Sequence, residues 1–165
     1  MDLQEISKEI SRNFNVLRDE LIKQRQDTKD DIEQNLKALR EASSQGDRSE
    51  NQDFTTATEK AHNLQIQLSQ VEMQLNEMSK VRMEDKYKHI GMIVYYTTVQ
   101  LYIPSMDKRM VVKMYPGKIS DISKGILAEE CAIGRAIWKR EKGDTVYVTE
   151  QTTGEELKYV IEDFY

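Results

Sequence analysis

Apolar positions along this chain follow two different rules, and the change falls near its middle. Ala57, Ala61, Leu64, Leu68, Val71, Leu75 and Met78 recur in alternating steps of four and three. That spacing predicts a helix with an a/d seam kept for about three heptads. An earlier stripe, Leu3, Ile6, Ile10, Phe14, Leu17 and Leu21, predicts a first helix. Gln24 and Thr28 then fall where the stripe wants apolar residues, and it resumes at Ile32, Leu36 and Leu39, which reads as a stutter in the coil. Two long helices joined through a short segment containing Gly46 predict an antiparallel hairpin. An arm of some 40 residues would span ~60 Å.

The second half alternates instead. Ile90 to Ile103, Met110 to Met114, Thr145 to Thr149 and Leu157 to Glu162 read as strands. Pro116-Gly117, Gly143-Asp144 and Thr152-Thr153-Gly154 read as turns, and Ala132 to Lys139 as a short amphipathic helix. The expected fold class is α+β: an N-terminal antiparallel coiled-coil hairpin over 1–83, then a small antiparallel sheet domain with a short helix over 84–165. Composition marks the same boundary, since both prolines and six of the seven glycines follow it. Apolar content of 38% and charged content of 32% suit an exposed helical arm better than one compact core.

Charge and chemistry narrow the picture further. A net charge of -5 gives no support to broad nucleic-acid binding through Lys and Arg. A single cysteine, Cys131, rules out an intrachain disulfide and suits a reducing compartment. The N-terminus does not read as a secretory signal, and no apolar run approaches membrane-spanning length, so a cytoplasmic protein is expected. Cys131 has no histidine near it in sequence, and His62 and His89 stand alone, so neither nucleophilic nor zinc chemistry is indicated. Trp138 with Ile133 and Ile137 reads as core.

The segment joining the two helices, 44–54, is polar and acidic. Asp47-Arg48-Ser49-Glu50 has the form of a capping box, with Asp47 as N-cap and Glu50 reaching back. Equally, Asp47, Glu50 and Asp53 would offer hard carboxylate oxygens suited to Mg²⁺. Carboxylates so few would complete a site supplied mostly by a partner rather than hold the ion alone. The residues themselves leave both readings open.

Gly46-Asp47-Arg48-Ser49-Glu50-Asn51, followed by Asp53-Phe54 and Ala57, resembles the tip signature of the bacterial Gre transcript-cleavage factors, GreA and GreB. Leu17 to Leu21, Ile133-Gly134-Arg135-Ala136-Ile137, Lys142-Gly143-Asp144-Thr145-Val146 and Thr153-Gly154-Glu155-Glu156 extend the resemblance in order along nearly the whole chain. The resemblance implies an FKBP-like C-terminal domain. It implies a factor, not itself an enzyme, that binds bacterial RNA polymerase and inserts its coiled coil into the secondary channel. There the tip acids help hold a second Mg²⁺ and an attacking water, and the polymerase active centre cleaves backtracked nascent RNA. Carried across, Asp47 and Glu50 are the matching acids, Asp53 matches a following Glu, and Phe54 a Tyr. Mg²⁺ is then shared with the polymerase and not held tightly by the isolated protein, which is expected to be a monomer.

Two departures stand out. The family's Ser-Pro before the Gly-Arg-Ala helix, part of a loop that docks on the channel rim, is here Glu130-Cys131-Ala132. Basic residues flanking the tip, which contact RNA in some members, reduce to Arg40, Arg48 and Lys60. Three other readings are available: a Gre-fold paralogue that occupies the channel and inhibits, a prolyl isomerase or chaperone of the FKBP type with a helical arm, and a plain coiled-coil adaptor.

Overall fold

The structure is a computed structural model and describes residues 2–44, 52–81 and 91–165. Helix α1 spans Leu3–Ser44 and helix α2 Gln52–Ser79. At 42 residues, α1 is about 63 Å long. In α2 the predicted seam is the buried one: Ala57, Leu64, Val71 and Met78 are buried, and Ala61, Leu68 and Leu75 half-buried between them.

In α1 the expected stutter is absent. Ser7, Phe14, Leu21, Thr28, Asn35 and Ala42, each seven residues from the last, are all buried. Leu36, read as a seam residue, is 46% exposed, while Asn35 beside it is 5% exposed. Two of the buried polar side chains, Thr28 and Asn35, are satisfied, which removes the penalty that makes polar seam residues rare. Thr28 Oγ1 donates to Gln24 O at 2.8 Å, and Asn35 Nδ2 donates to Ala57 O at 2.8 Å.

By contacts the chain forms two units, one of Leu17–Asn76 and one of Met1–Val16 with Glu77–Tyr165. The compositional boundary at 83–84 lies outside the described residues. The second unit is built on a five-stranded sheet of β1 (Thr98–Ile103), β2 (Lys108–Tyr115), β3 (Ile126–Ala128), β4 (Thr145–Thr149) and β5 (Glu156–Phe164), in the order β3-β2-β1-β5-β4. Pairing is antiparallel except between β2 and β3, which run parallel, so the expected small antiparallel sheet carries one parallel edge strand. The strand expected from Ile90 narrows to Thr98–Ile103; Tyr96, with φ of 66°, breaks the extended backbone just before it.

Strand alternation divides the sheet into two faces. Val99, Leu101, Val112, Met114, Val146 and Ile161 point to one core, closed by Ile137 of helix α3 (Ala132–Ile137). Trp138 packs against this core, as expected, with its ring 4.6 Å from that of Tyr95. On the opposite face of β2 lie Lys113 and Tyr115, and the first turns of α1 cover them. Phe14 stacks on Tyr115 with centroids 4.4 Å apart and planes 12° from parallel. Lys113, 4% exposed, donates from Nζ to Ser11 Oγ at 2.8 Å. Asn13 Nδ2 reaches Lys124 O at 3.4 Å.

The apolar stripe at the start of α1 therefore serves the sheet. Phe14→Ala should cost about 3–5 kcal/mol of unfolding free energy, since it removes a buried aromatic and its stacking partner's contact. Urea denaturation of the intact chain measures this; a loss below about 1 kcal/mol would mean the helix start is dispensable to the sheet unit.

Candidate functional site

The described part of the arm brings only some of the expected tip residues together. Asp47, Arg48 and Glu50 lie outside the described residues. Asp53 is exposed in the first turn of α2. Phe54 is half-buried, three residues before Ala57, so its ring continues the seam. Arg40 and Lys60 are exposed. Asp53, Lys60, Glu41 and Asn35 line a groove of about 390 Å³ between the two helices, with Ala38, Ala42, Thr56 and Ala57 forming its floor and walls; Arg40 is not part of it. The groove exists because the seam there is made of small side chains. Among the described residues no three His, Cys, Asp or Glu side chains converge as metal ligands. A magnesium ion involving Asp53 would thus need ligands from elsewhere.

The second candidate region is the loop entering α3. Its backbone is tied to β2 and the turn after it: Glu129 N–H donates to Tyr115 O at 2.8 Å, and Glu130 N–H to Gly117 O at 3.2 Å. Glu129 also accepts a hydrogen bond from the Tyr95 hydroxyl. Cys131 is the N-cap of α3, with extended backbone and its Sγ accepting the Gly134 N–H at 3.3 Å. A thiol accepts weakly, but it occupies the position where serine normally caps a helix. Cys131 therefore has a structural task, consistent with the absence of any nucleophilic arrangement around it in sequence.

Ala132 is exposed. Cys131, Ala132 and Ile133 form one wall of an apolar cavity of about 280 Å³; Ile122, Val148, Leu157 and Tyr159 contribute the rest, with Ser120, Thr149, Glu150 and Gln151 also lining it. Sequence reasoning missed this cavity because its walls come from four separate stretches. It also missed the charges beside Glu130. Lys118 Nζ lies 3.8 Å from Glu130 Oε2, and Lys80 Nζ lies 2.7 Å from Glu77 Oε1. The hydrogen bond from Lys80 holds the Glu77 carboxyl below the usual carboxylate range, and the Lys118 charge adds to it. Glu77 in turn raises the Lys80 ammonium, with Glu130 contributing. Gly117 fits against this group because a Cβ there would come 2.9 Å from Glu77 Oε2. Such exposed pairs add little stability. Their consequence is that Glu130 is flanked by cations of its own chain.

Residues 3–79 match the family model for the N-terminal region of transcription elongation factors GreA and GreB. The transcription elongation factor GreA of Pseudomonas putida is 30% identical over 111 residues, covering 67% of this chain and 69% of that protein. GreA of Anaeromyxobacter sp. is 29% identical over 128 residues, covering 77% and 74%. The chain belongs to the GreA/GreB family. Among solved structures, GreA factor homolog 1 of Thermus thermophilus covers 90% of this chain and 94% of that one, at 13% identity and a TM-score of 0.38, a likeness too loose to bear on function.

Proposed function

We propose that this protein binds bacterial RNA polymerase, inserts its helical arm into the secondary channel and stimulates Mg²⁺-dependent cleavage of backtracked nascent RNA. Asp47 and Glu50 would supply carboxylates to a magnesium ion that the polymerase mostly holds, and the protein would be a ligand donor rather than an enzyme by itself. Asp53, in the first turn of α2, would add a carboxylate, and Arg40, Arg48 and Lys60 would face the RNA. The observation that carries the reading is family membership combined with an acid pair, Asp47 and Glu50, in the segment between two long helices. The chemistry is hydrolysis with two metal ions, in which one activates water and both stabilise the charge of the in-line displacement.

Docking is assigned to Glu130, Cys131 and Ala132. What supports this is the exposed Ala132 beside an apolar cavity, large enough for one partner side chain, with an acid next to it. Here an apolar contact supplies area and Glu130 supplies charge complementarity to a basic partner. Glu130→Lys should weaken polymerase binding about ten-fold or more, while cleavage at saturating protein stays within about two-fold. Titrating each protein into a backtracked elongation complex and following release of labelled 3′ fragments measures both quantities. Absence of fragments at any concentration of the unaltered protein, with binding intact, would favour an inhibitory paralogue. Absence of binding would overturn the proposal.

A further inference from the structure

We propose that Asn35 is a positioning residue for the arm: its side-chain amide fixes the register of α1 against α2 at the distal end, from which the segment carrying Asp47 and Glu50 continues. The proposal rests on the reading of the arm as the part that delivers those acids.

Asn35 is 5% exposed in the helix–helix seam, and its Nδ2 donates to the Ala57 carbonyl across that seam at 2.8 Å. Three neighbouring facts give that bond its weight. The fully buried apolar residues nearest it towards the tip are only the alanines Ala42 and Ala57; Ile32, Leu39 and Phe54 are half-buried, and Leu36 is exposed. An open groove of about 390 Å³ runs beside it. Thr28, the buried polar residue one heptad earlier, donates within its own helix and gives nothing across the seam. Contacts between small apolar side chains tolerate rotation and sliding, whereas a hydrogen bond to a backbone carbonyl has a set direction. A buried asparagine in a coiled-coil seam fixes register at a cost in stability relative to leucine. The same exchange here places a directional bond at the seam level where the fully buried apolar side chains are alanines.

The test uses the full chain with Cys131→Ser and spin labels on cysteines introduced at Ser44 and Gln52, both exposed. Pulsed electron resonance reads the distance distribution, alone and with Asn35→Leu or Asn35→Ala. One narrow distribution is expected with Asn35, and a broadened or displaced one in both variants. Asn35→Leu should also melt no lower than the parent, bind polymerase within about two-fold, and lose roughly ten-fold to 100-fold in the maximal rate of fragment release, because misplacing a catalytic group by about 1 Å can cost about 100-fold. Unchanged distributions in both variants would overturn the proposal, whatever the cleavage rates. No cleavage by the unaltered protein would strike the functional reading instead, and the label distances would still decide whether Asn35 fixes the arm.

Discussion

Asp47→Ala and Glu50→Ala are each expected to lower stimulated RNA cleavage by roughly 100-fold or more, while polymerase binding stays within about two-fold. Removing a ligand that acts on the charge developed in the transition state typically has an effect of this size. Binding is spared because the docking contacts are assigned to the loop at Glu130–Ala132 and the adjoining cavity, built by the sheet unit. The competing role of these acids is helix capping, and the two roles separate cleanly. Loss of an N-cap costs about 1 kcal/mol and would move the melting temperature by a few degrees. Asp47→Ser keeps a capping oxygen and removes the carboxylate. If the acid serves the metal, Asp47→Ser is as inactive as Asp47→Ala yet melts like the parent. If capping is the whole of its role, Asp47→Ser retains cleavage. Rates of fragment release from a backtracked complex, paired with thermal melts, decide between them.

The second large effect concerns Gly134. A Cβ placed there would lie 1.9 Å from Ala128 O and 2.9 Å from Glu129 O. Both obstacles are backbone, so no side chain can swing away, and α3 would have to lift off the strand it packs on. Gly134→Ala should therefore cost about 3 kcal/mol or more, at the upper end of overpacking effects. Because α3 starts at Ala132 and its cap is Cys131, polymerase binding should fall with it. Gly143→Ala is the comparison: its φ of +91° makes it strained, but no atom lies within 4 Å of the added carbon. Its cost should stay near 1–2 kcal/mol. Equal, small losses for both variants in urea denaturation would show that α3 does not sit tightly on the chain after β3.

Much of this was legible in the residues. The α2 seam, the β4–β5 hairpin and the short helix all follow from spacing alone, because each buries an apolar face of its own. What escaped has a physical reason in each case. Asn35 and Lys113 are polar residues buried by virtue of specific hydrogen bonds, and a hydrophobic pattern cannot register a bond partner. A hydrophobic pattern reads Leu36 rather than Asn35 as the seam residue for the same reason, which is the source of the stutter the structure lacks. Strand β3 has three residues, too few for any period, and its parallel pairing with β2 depends on a connection whose path is set by the 3-10 turn Ile122–Lys124 and by Asp121 accepting the Lys124 N–H. For the site, the acids at 47 and 50 were readable as a motif. The cavity beside Cys131 was not, since Ile122, Ile133, Val148 and Leu157 meet only after folding.

The most direct measurement is a Mg²⁺ titration of fragment release from a backtracked polymerase complex, with the protein absent, with the protein present, and with Glu50→Gln. The expected result is that the protein lowers the Mg²⁺ concentration giving half-maximal rate, and that Glu50→Gln moves it back toward the value without the protein. Identical Mg²⁺ dependence in all three, with any stimulation arising only in the maximal rate, would contradict a tip that completes the metal site.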